Sequence, residues 1–360
     1  MPVALVHDYL TQTGGAERVV LSMLKAFPSA PLHTSLYDPA GTFEAFAHHD
    51  VRPLPINILK PLRANHRLAL PLLAGTFASL TVDAEVTLCS SSGWAHGART
   101  KGRKVVYCYN PPRWVHQLDR YAPGGAPKLA ALALRPALRR WDVRAAASAD
   151  RYLVISSVVR DRVARAYGID AEILPPAVTV SADGPRVDPG GVEPGFWLCV
   201  SRLLPYKNVE AVAEAFGRLA GERLVVVGDG PGEAALRGSK PANVILLGRV
   251  GDDELRWLYA NSRGLVAAAY EDFGLTPLEA NVFGKPAVVL RWGGFLDTVV
   301  DGLNGIFFDE PTPPTIADAV QRAARTAWHA GDIAAHAARF GEDRFVDALR
   351  GVVEEERRRL

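Results

Sequence analysis

Gly264–Gly284, G-L-V-A-A-A-Y-E-D-F-G-L-T-P-L-E-A-N-V-F-G, reads as a strand, a turn and the start of a helix. The run Gly264–Ala269 is short and apolar, the pattern of a buried strand. Thr276 reads as an N-cap and Pro277 as the first helical residue, where a missing N–H is no loss. Glu271 then falls at the carboxyl end of the strand. Glu279, eight residues on, sits in the first helical turn and points back toward the same crevice. A helix start offers unpaired N–H groups and a partial positive charge, which suits a phosphate. Amides for a phosphate and carboxylates for hydroxyl groups make a site for a polyhydroxylated, phosphate-bearing ligand.

Outward from that stretch the same alternation continues. Phe196–Ser201 reads as a strand, followed by S-R-L-L-P-Y-K-N and a helix from Val209. Arg202 and Lys207 are two cations on one turn, able to stabilise charge growing on a departing diphosphate. Leu224–Val227 runs into G-D-G-P, and Val244–Val250 is a further strand. Pro286–Arg291 is a strand ending in Trp292-Gly293-Gly294, and Thr315–Arg359 is helical by pattern.

The first half alternates likewise. Val3–His7 is a buried-strand run, then Gly14-Gly15, then a helix with Val20, Leu21, Leu24 and Phe27 at helical spacing. The glycine pair is either a tight turn or a place where backbone lets a phosphate or acceptor come close. G-x-G-x-x-G is absent, so a dinucleotide fingerprint is not read here. Leu32–Tyr37, Ala84–Ser92, Lys104–Asn110 and Asp150–Ser156 are further strand runs. Lys60–Leu73 reads as a basic, apolar helix, either a solvated face over a core stripe or a surface for an anionic bilayer; Leu132–Arg144 carries the same ambiguity. Tyr109-Asn110-Pro111-Pro112-Arg113-Trp114, with His116 and Tyr121 beyond, is an extended loop at a strand's end. Arg113 there suits an anionic acceptor and Trp114 a sugar face, unless the loop is simply packed by its tryptophan. Residues 178–195 are rich in Asp, Gly and Pro and have no periodicity, as a linker has. The expected division is therefore 1–180, a linker at 181–195, a second domain at 196–335 and a last helical segment at 336–360.

E-D-F-G-L-T-P-L-E-A resembles the Glu-x7-Glu signature of retaining glycosyltransferases of family 4, which belong to the GT-B class. S-R-L-L-P-Y-K-N resembles the same family's Arg–Lys motif, and Tyr109–Trp114 resembles a segment of bacterial enzymes that add mannose to lipid-linked oligosaccharides or polysaccharides. The resemblance implies an α/β protein of two Rossmann-like domains facing across a cleft, the last helix folding back to the first. It implies a nucleotide-diphosphate sugar as donor, best GDP-mannose, and a glycan or lipid-linked acceptor. Arg202 and Lys207 would hold the diphosphate, Glu271 and the amides near Gly274-Leu275 the sugar, and Glu279 the ribose. Phe273 and Thr276 complete that loop, backbone at Arg249-Val250 would meet the base, and Gly14-Gly15 would face the donor. Arg113, Trp114 and His116 fall on the acceptor side. A histidine beside the reacting sugar would be His96, although Ser92 competes for its place. Asp297 stands where the family usually has a glutamate. The same fold class serves natural-product tailoring transferases and sugar-nucleotide epimerases or hydrolases, which remain alternatives.

Composition bounds these readings. With 360 residues, 48% hydrophobic and 22% charged, the chain suits two globular domains. A formal charge of +2 is too mild for nucleic acid as a main partner. Cys89, Cys108 and Cys199 lie in apolar runs at spacings that fit no metal, and read as reduced core residues. No Asp-x-Asp occurs where a metal-held donor would need it, so no metal and no cofactor is expected. No signal-peptide pattern follows Met1-Pro2 and no apolar run is long enough to span a bilayer. A cytoplasmic protein is expected, with a peripheral contact on the inner membrane face left open.

Overall fold

A computed structural model describes residues 2–116 and 126–360, excepting the side chains at 114 and 126–133; Tyr121 lies outside the described residues. The chain divides into two units, one running to Ala177 and taking in Glu342–Leu360, the other Val178–Gly341. The residues 181–195 read as a linker thus belong to the second unit.

In the first unit, β1 (Val3–His7), β2 (Leu32–Thr34), β3 (Val51–Pro53), β4 (Val86–Ser91), β5 (Arg103–Cys108), β6 (Arg151–Val154) and β7 (Glu172–Ile173) form one sheet. Its order is β3-β2-β1-β4-β5-β6-β7 and its pairings are parallel. β1 and β4 are buried along their whole length, because helices cover both faces of a parallel sheet. The helices that matter below are α1 (Gly15–Ala26), α2 (Lys60–Ala64), α3 (Leu70–Ser79), α4 (Arg113–His116), α5 (Ala126–Ala147) and α6 (Ser157–Tyr167). α1 turns Val19, Val20, Met23 and Leu24 inward.

In the second unit, β8 (Phe196–Val200), β9 (Leu224–Val227), β10 (Val244–Gly248), β11 (Ser262–Ala267), β12 (Ala287–Leu290) and β13 (Gly305–Phe308) are ordered β10-β9-β8-β11-β12-β13, again parallel. α7 (Val209–Phe216) follows β8, and α8 (Leu275–Val282) follows β11. One continuous apolar core runs from Phe196 and Trp197 on β8 to Ile316 and Val320 on the helix Pro313–Arg325.

Two long helical readings are broken in the structure. The stretch Lys60–Leu73 is split into α2, a 3-10 turn at His66–Ala69 and α3. Asn65 causes the break: its Oδ1 accepts the Arg67 N–H at 3.2 Å and starts a new turn, with Pro71 at the next helix start. The stretch Thr315–Arg359 is divided into helices Pro313–Arg325, Ala330–Ala337 and Glu342–Arg357. The three cysteines are buried and free. No helix among the described residues is long and apolar enough to cross a membrane.

Helix Glu342–Arg357 packs on α1 and on β4 and β5, burying Phe345, Val346, Leu349 and Val353. Glu356, fully buried, accepts hydrogen bonds from Arg103 Nε and Nη2 at 2.9 and 2.7 Å and from Arg359 at 2.9 Å. Glu356→Ala therefore strips the half-buried Arg103 of one of its two carboxylate partners, the other being Asp150. We expect a loss of about 2 kcal/mol, read as a lowered urea midpoint for the first unit with far-ultraviolet dichroism unchanged in water.

Candidate functional site

In each sheet the strand order changes direction at one place, between β1 and β4 in the first and between β8 and β11 in the second. There the loops leaving two neighbouring strands part toward opposite faces and leave a crevice at the carboxyl ends.

In the second unit those loops are Ser201–Asn208 after β8 and Ala268–Gly274 after β11. Lys207 Nζ donates to Glu271 Oε1, joining the loops across the crevice. The Tyr270 N–H donates to the Tyr206 carbonyl at 3.2 Å, and Asn208 Nδ2 donates to the Ala268 carbonyl at 2.8 Å. Asn208 has φ +52°, the only left-handed non-glycine among the described residues. Asparagine tolerates that conformation better than most residues, and here it ends the Lys207 turn and begins α7. The Lys207 and Glu271 side chains keep 11% and 29% of their exposure, so the pair borders solvent. Arg202, on the same loop, is exposed and its side chain forms no hydrogen bond or ion pair among the described residues.

Glycines let these loops lie against their neighbours. A Cβ at Gly228 would overlap the Ser201 carbonyl, and one at Gly230 would stand 2.6 Å from the Leu203 carbonyl oxygen. The Leu203 N–H bonds the Asp229 carbonyl at 2.8 Å, so the Gly228–Pro231 turn backs the Arg202 loop. Arg249 Nε bonds Asp229 Oδ2 at 2.7 Å, leaving the Arg249 side chain mostly exposed. On the other side, the Gly294 N–H donates to the Glu271 carbonyl at 3.0 Å, and a Cβ at Gly294 would overlap the Phe273 backbone.

The helix start beside Glu271 differs from its sequence reading. α8 begins at Leu275 with Gly274 as N-cap, at φ +90°, and no side chain caps it. Thr276 and Pro277 lie inside the first turn. The Phe295 ring sits 2.5 Å from where a Gly274 Cβ would be, so only glycine fits at this cap. The Leu275 and Thr276 amides are thus left for another partner. Glu279 Oε2 accepts the Tyr259 hydroxyl at 2.7 Å.

In the first unit, the buried carboxylate of Asp8, just beyond β1, accepts the N–H groups of Ser92, Trp94 and Ala95 at 2.6, 3.2 and 2.6 Å. Burial pushes Asp8 up to about 6, against the pull of those donors and of His96 nearby. Gly14 caps α1, with Gly15 as the first helical residue. Beneath them Glu17 is buried and accepts Gln12 Nε2 at 3.0 Å, while its Oε2 has no hydrogen-bond partner among the described residues and faces Gly14. Burial raises Glu17 and drives its neighbour His7 down to about 4, so His7 is neutral at pH 7.

His96 was expected beside the reacting sugar, and the structure turns it inward. It is 1% exposed; its Nδ1 lies 2.9 Å from Ser91 Oγ and its Nε2 3.0 Å from Asp142 Oδ1, outside hydrogen-bonding geometry. Asp142 Oδ2 is 2.7 Å from Nε2 of His116. Burial opposes charge on Asp142, but the hydrogen bond with His116 and the nearness of both imidazoles hold its carboxyl below the ordinary value. His116, an acceptor-side expectation, is therefore also engaged inside the fold. Ser92 is the exposed residue of that loop. Arg113 begins α4 half-buried. Trp114 lies in the same helix, with its side chain outside the description.

Sequence reasoning missed Asp8, Asp142, Asn208 and Gly294. Asp8 was visible as the acid directly after a buried strand, and Asp142 as the single acid in the basic helix α5. Asn208 and Gly294 give no such signal, because their roles depend on backbone from distant segments.

Comparison with known proteins agrees with this architecture. The family described as Glycosyltransferase Family 4 matches residues 13–182, and that described as Glycosyl transferases group 1 matches residues 190–339. The chain is 35% identical over 144 residues to a glycogen synthase of Pseudomonas aeruginosa, covering 37% of this chain and 28% of that one. It is 34% identical over 147 residues to a GDP-mannose-dependent alpha-mannosyltransferase of Corynebacterium glutamicum, covering 40% and 34%. The chain thus spans about a third of the length of these curated relatives. Among solved structures, Anabaena HepE in complex with UDP-glucose superposes with a TM-score of 0.74 at 18% identity, over 99% of this chain and 100% of that one. The two family matches together account for most of both units, and the chain belongs to glycosyltransferase family 4.

Proposed function

We propose that this protein moves a hexose from a nucleoside-diphosphate donor to a hydroxyl of a glycan or lipid-linked acceptor, with retention at the anomeric carbon. The observation that carries this reading is the Lys207–Glu271 pair at the switch point of the second unit, with the exposed Arg202 on the same loop. Before donor binds, the pair holds both side chains extended. A diphosphate outcompetes one carboxylate for Lys207 and joins Arg202, which frees Glu271 to accept hydroxyl groups of the sugar. The Leu275 and Thr276 amides, with Phe273 and Gly274 shaping the loop, complete the sugar and phosphate contacts, and Glu279 serves the ribose. Backbone at Arg249-Val250 serves the base. Gly14-Gly15 serve donor approach, and Arg113 and Trp114 acceptor binding, on the first unit.

In the reaction the bond from the anomeric carbon to the diphosphate oxygen breaks, and the acceptor oxygen bonds to that carbon on the same face. The acceptor's proton passes to the departing phosphate oxygen. Lys207 and Arg202 stabilise the charge that develops there, so a protein nucleophile and a metal are both unnecessary. GDP-mannose is our preferred donor, supported by the Corynebacterium relative and by a GDP-mannose-dependent mannosyltransferase of Mycobacterium tuberculosis, 32% identical over 197 residues.

Thermal shifts across GDP-, UDP- and dTDP-sugars, then product NMR with and without acceptor, test the proposal. A donor consumed equally without acceptor, giving an epimer or free sugar, overturns it. Lys207→Ala and Glu271→Ala should each lower kcat/KM by roughly 100- to 1,000-fold while the melting curve stays cooperative. Near-normal turnover in either variant removes that residue from the site. Transfer should also persist undiminished in excess chelator; loss restored by manganese would refute the metal-free route.

A further inference from the structure

Residues 51–82 contain no aspartate or glutamate, yet include Arg52, Lys60, Arg63 and Arg67. Arg52 pairs with Asp50, whereas Lys60, Arg63 and Arg67 form no ion pair among the described residues. Interleaved with them are apolar side chains in water: Ile58 is 79% exposed, Leu59 51%, Leu68 57% and Leu72 51%. α3 has no charged residue at all; Leu73, Ala74 and Phe77 face the core, leaving Pro71, Leu72 and Gly75 outside. An apolar helix face such as that of Pro71 and Leu72 is ordinarily covered. This surface is also fixed in place. Asn57 Oδ1 accepts the Tyr37 N–H at 2.9 Å, and the His66 ring stacks on Tyr9 at 4.4 Å with its Nδ1 3.2 Å from Thr11 Oγ1.

We propose that the face formed by Ile58, Leu59, α2, the His66–Ala69 turn and α3 docks on an anionic phospholipid bilayer. The cations match the headgroups, and the isoleucine and leucines reach the boundary with the acyl chains. Breaking the stretch into short pieces serves this purpose, since it spreads exposed leucines over a broad, shallow surface. A protein partner would have to bring its own acids and apolar cover together. A bilayer presents both everywhere. Tyr9 and Thr11, which anchor the turn, follow Asp8 at the first unit's switch point, so the docked face adjoins that crevice. A lipid-borne acceptor would then arrive beside it, a corollary that rests on the proposed function, whereas docking itself does not.

The test is flotation of the purified full chain with vesicles of phosphatidylcholine, alone or mixed with phosphatidylglycerol. The protein should float with the mixed vesicles at low salt, stay behind with phosphatidylcholine alone, and be released as salt rises. A triple variant, Lys60→Gln, Arg63→Gln and Arg67→Gln, should partition on the order of a hundredfold more weakly. Leu68→Ser with Leu72→Ser should weaken binding to mixed vesicles without changing the circular dichroism spectrum. Wild-type protein that fails to float, or floats as well in both variants, overturns the proposal. So does a concentration-dependent dimer abolished by the leucine variant, because a second copy would then cover the face. Donor turnover is not read in this experiment, so its outcome is separate from that of the transfer reaction.

Discussion

Both units depend on one constraint of parallel sheets. Where strand order changes direction, two loops leave neighbouring strands toward opposite faces, and only side chains or backbone at the sheet's edge can bind them together. The two units meet this need with different chemistry. In the first, the Asp8 carboxylate takes three N–H groups of the loop after β4, in a place closed to water. In the second, an ion pair and an asparagine amide do it, at the border of solvent. A buried charge with fixed amides has no alternative partner to exchange with. A partly exposed ammonium and carboxylate have one as soon as a phosphate enters. The difference separates a loop that is braced from a loop that is ready.

Close backbone approach does the rest of the positioning. Gly228 and Gly230 bring one turn under the Arg202 loop, and Gly294 brings another under the Glu271 loop. Each replaces side-chain packing with main-chain contact, so the loops are placed by rigid peptide units instead of rotatable groups. The site's cations and acids therefore sit on surfaces with little freedom to drift, although the loops themselves have no regular secondary structure.

The sequence made the strand–helix alternation plain, because buried parallel strands are short apolar runs and their helices keep a strict face. Most strands lie within a residue or two of their reading. Helix breaks were less legible: Asn65 and Pro71 both signal a start, but the leucine spacing on either side conceals it. In the second unit Arg202 with Lys207 and Glu271 with Glu279 each stood out within one short segment through their resemblance to family motifs, whereas the Lys207–Glu271 pairing across 64 positions was not legible. The burial of His96 was not legible either. Its environment is built by Asp142, 46 positions away on α5, and no local pattern reveals such a partner. Thr276 is not the cap because the helix already starts at Leu275, after Gly274 at φ +90°.

The second unit begins and ends at one point, where the Val178 N–H bonds the Phe340 carbonyl at 2.8 Å and Val178 bridges to Gly341. It is an insertion between the body of the first unit and the helix Glu342–Arg357 that completes it. During synthesis the first unit thus emerges early but lacks that helix until the inserted unit has been made. The faces of α1, β4 and β5 that it covers remain bare throughout, so the half that emerges first is the half that matures last.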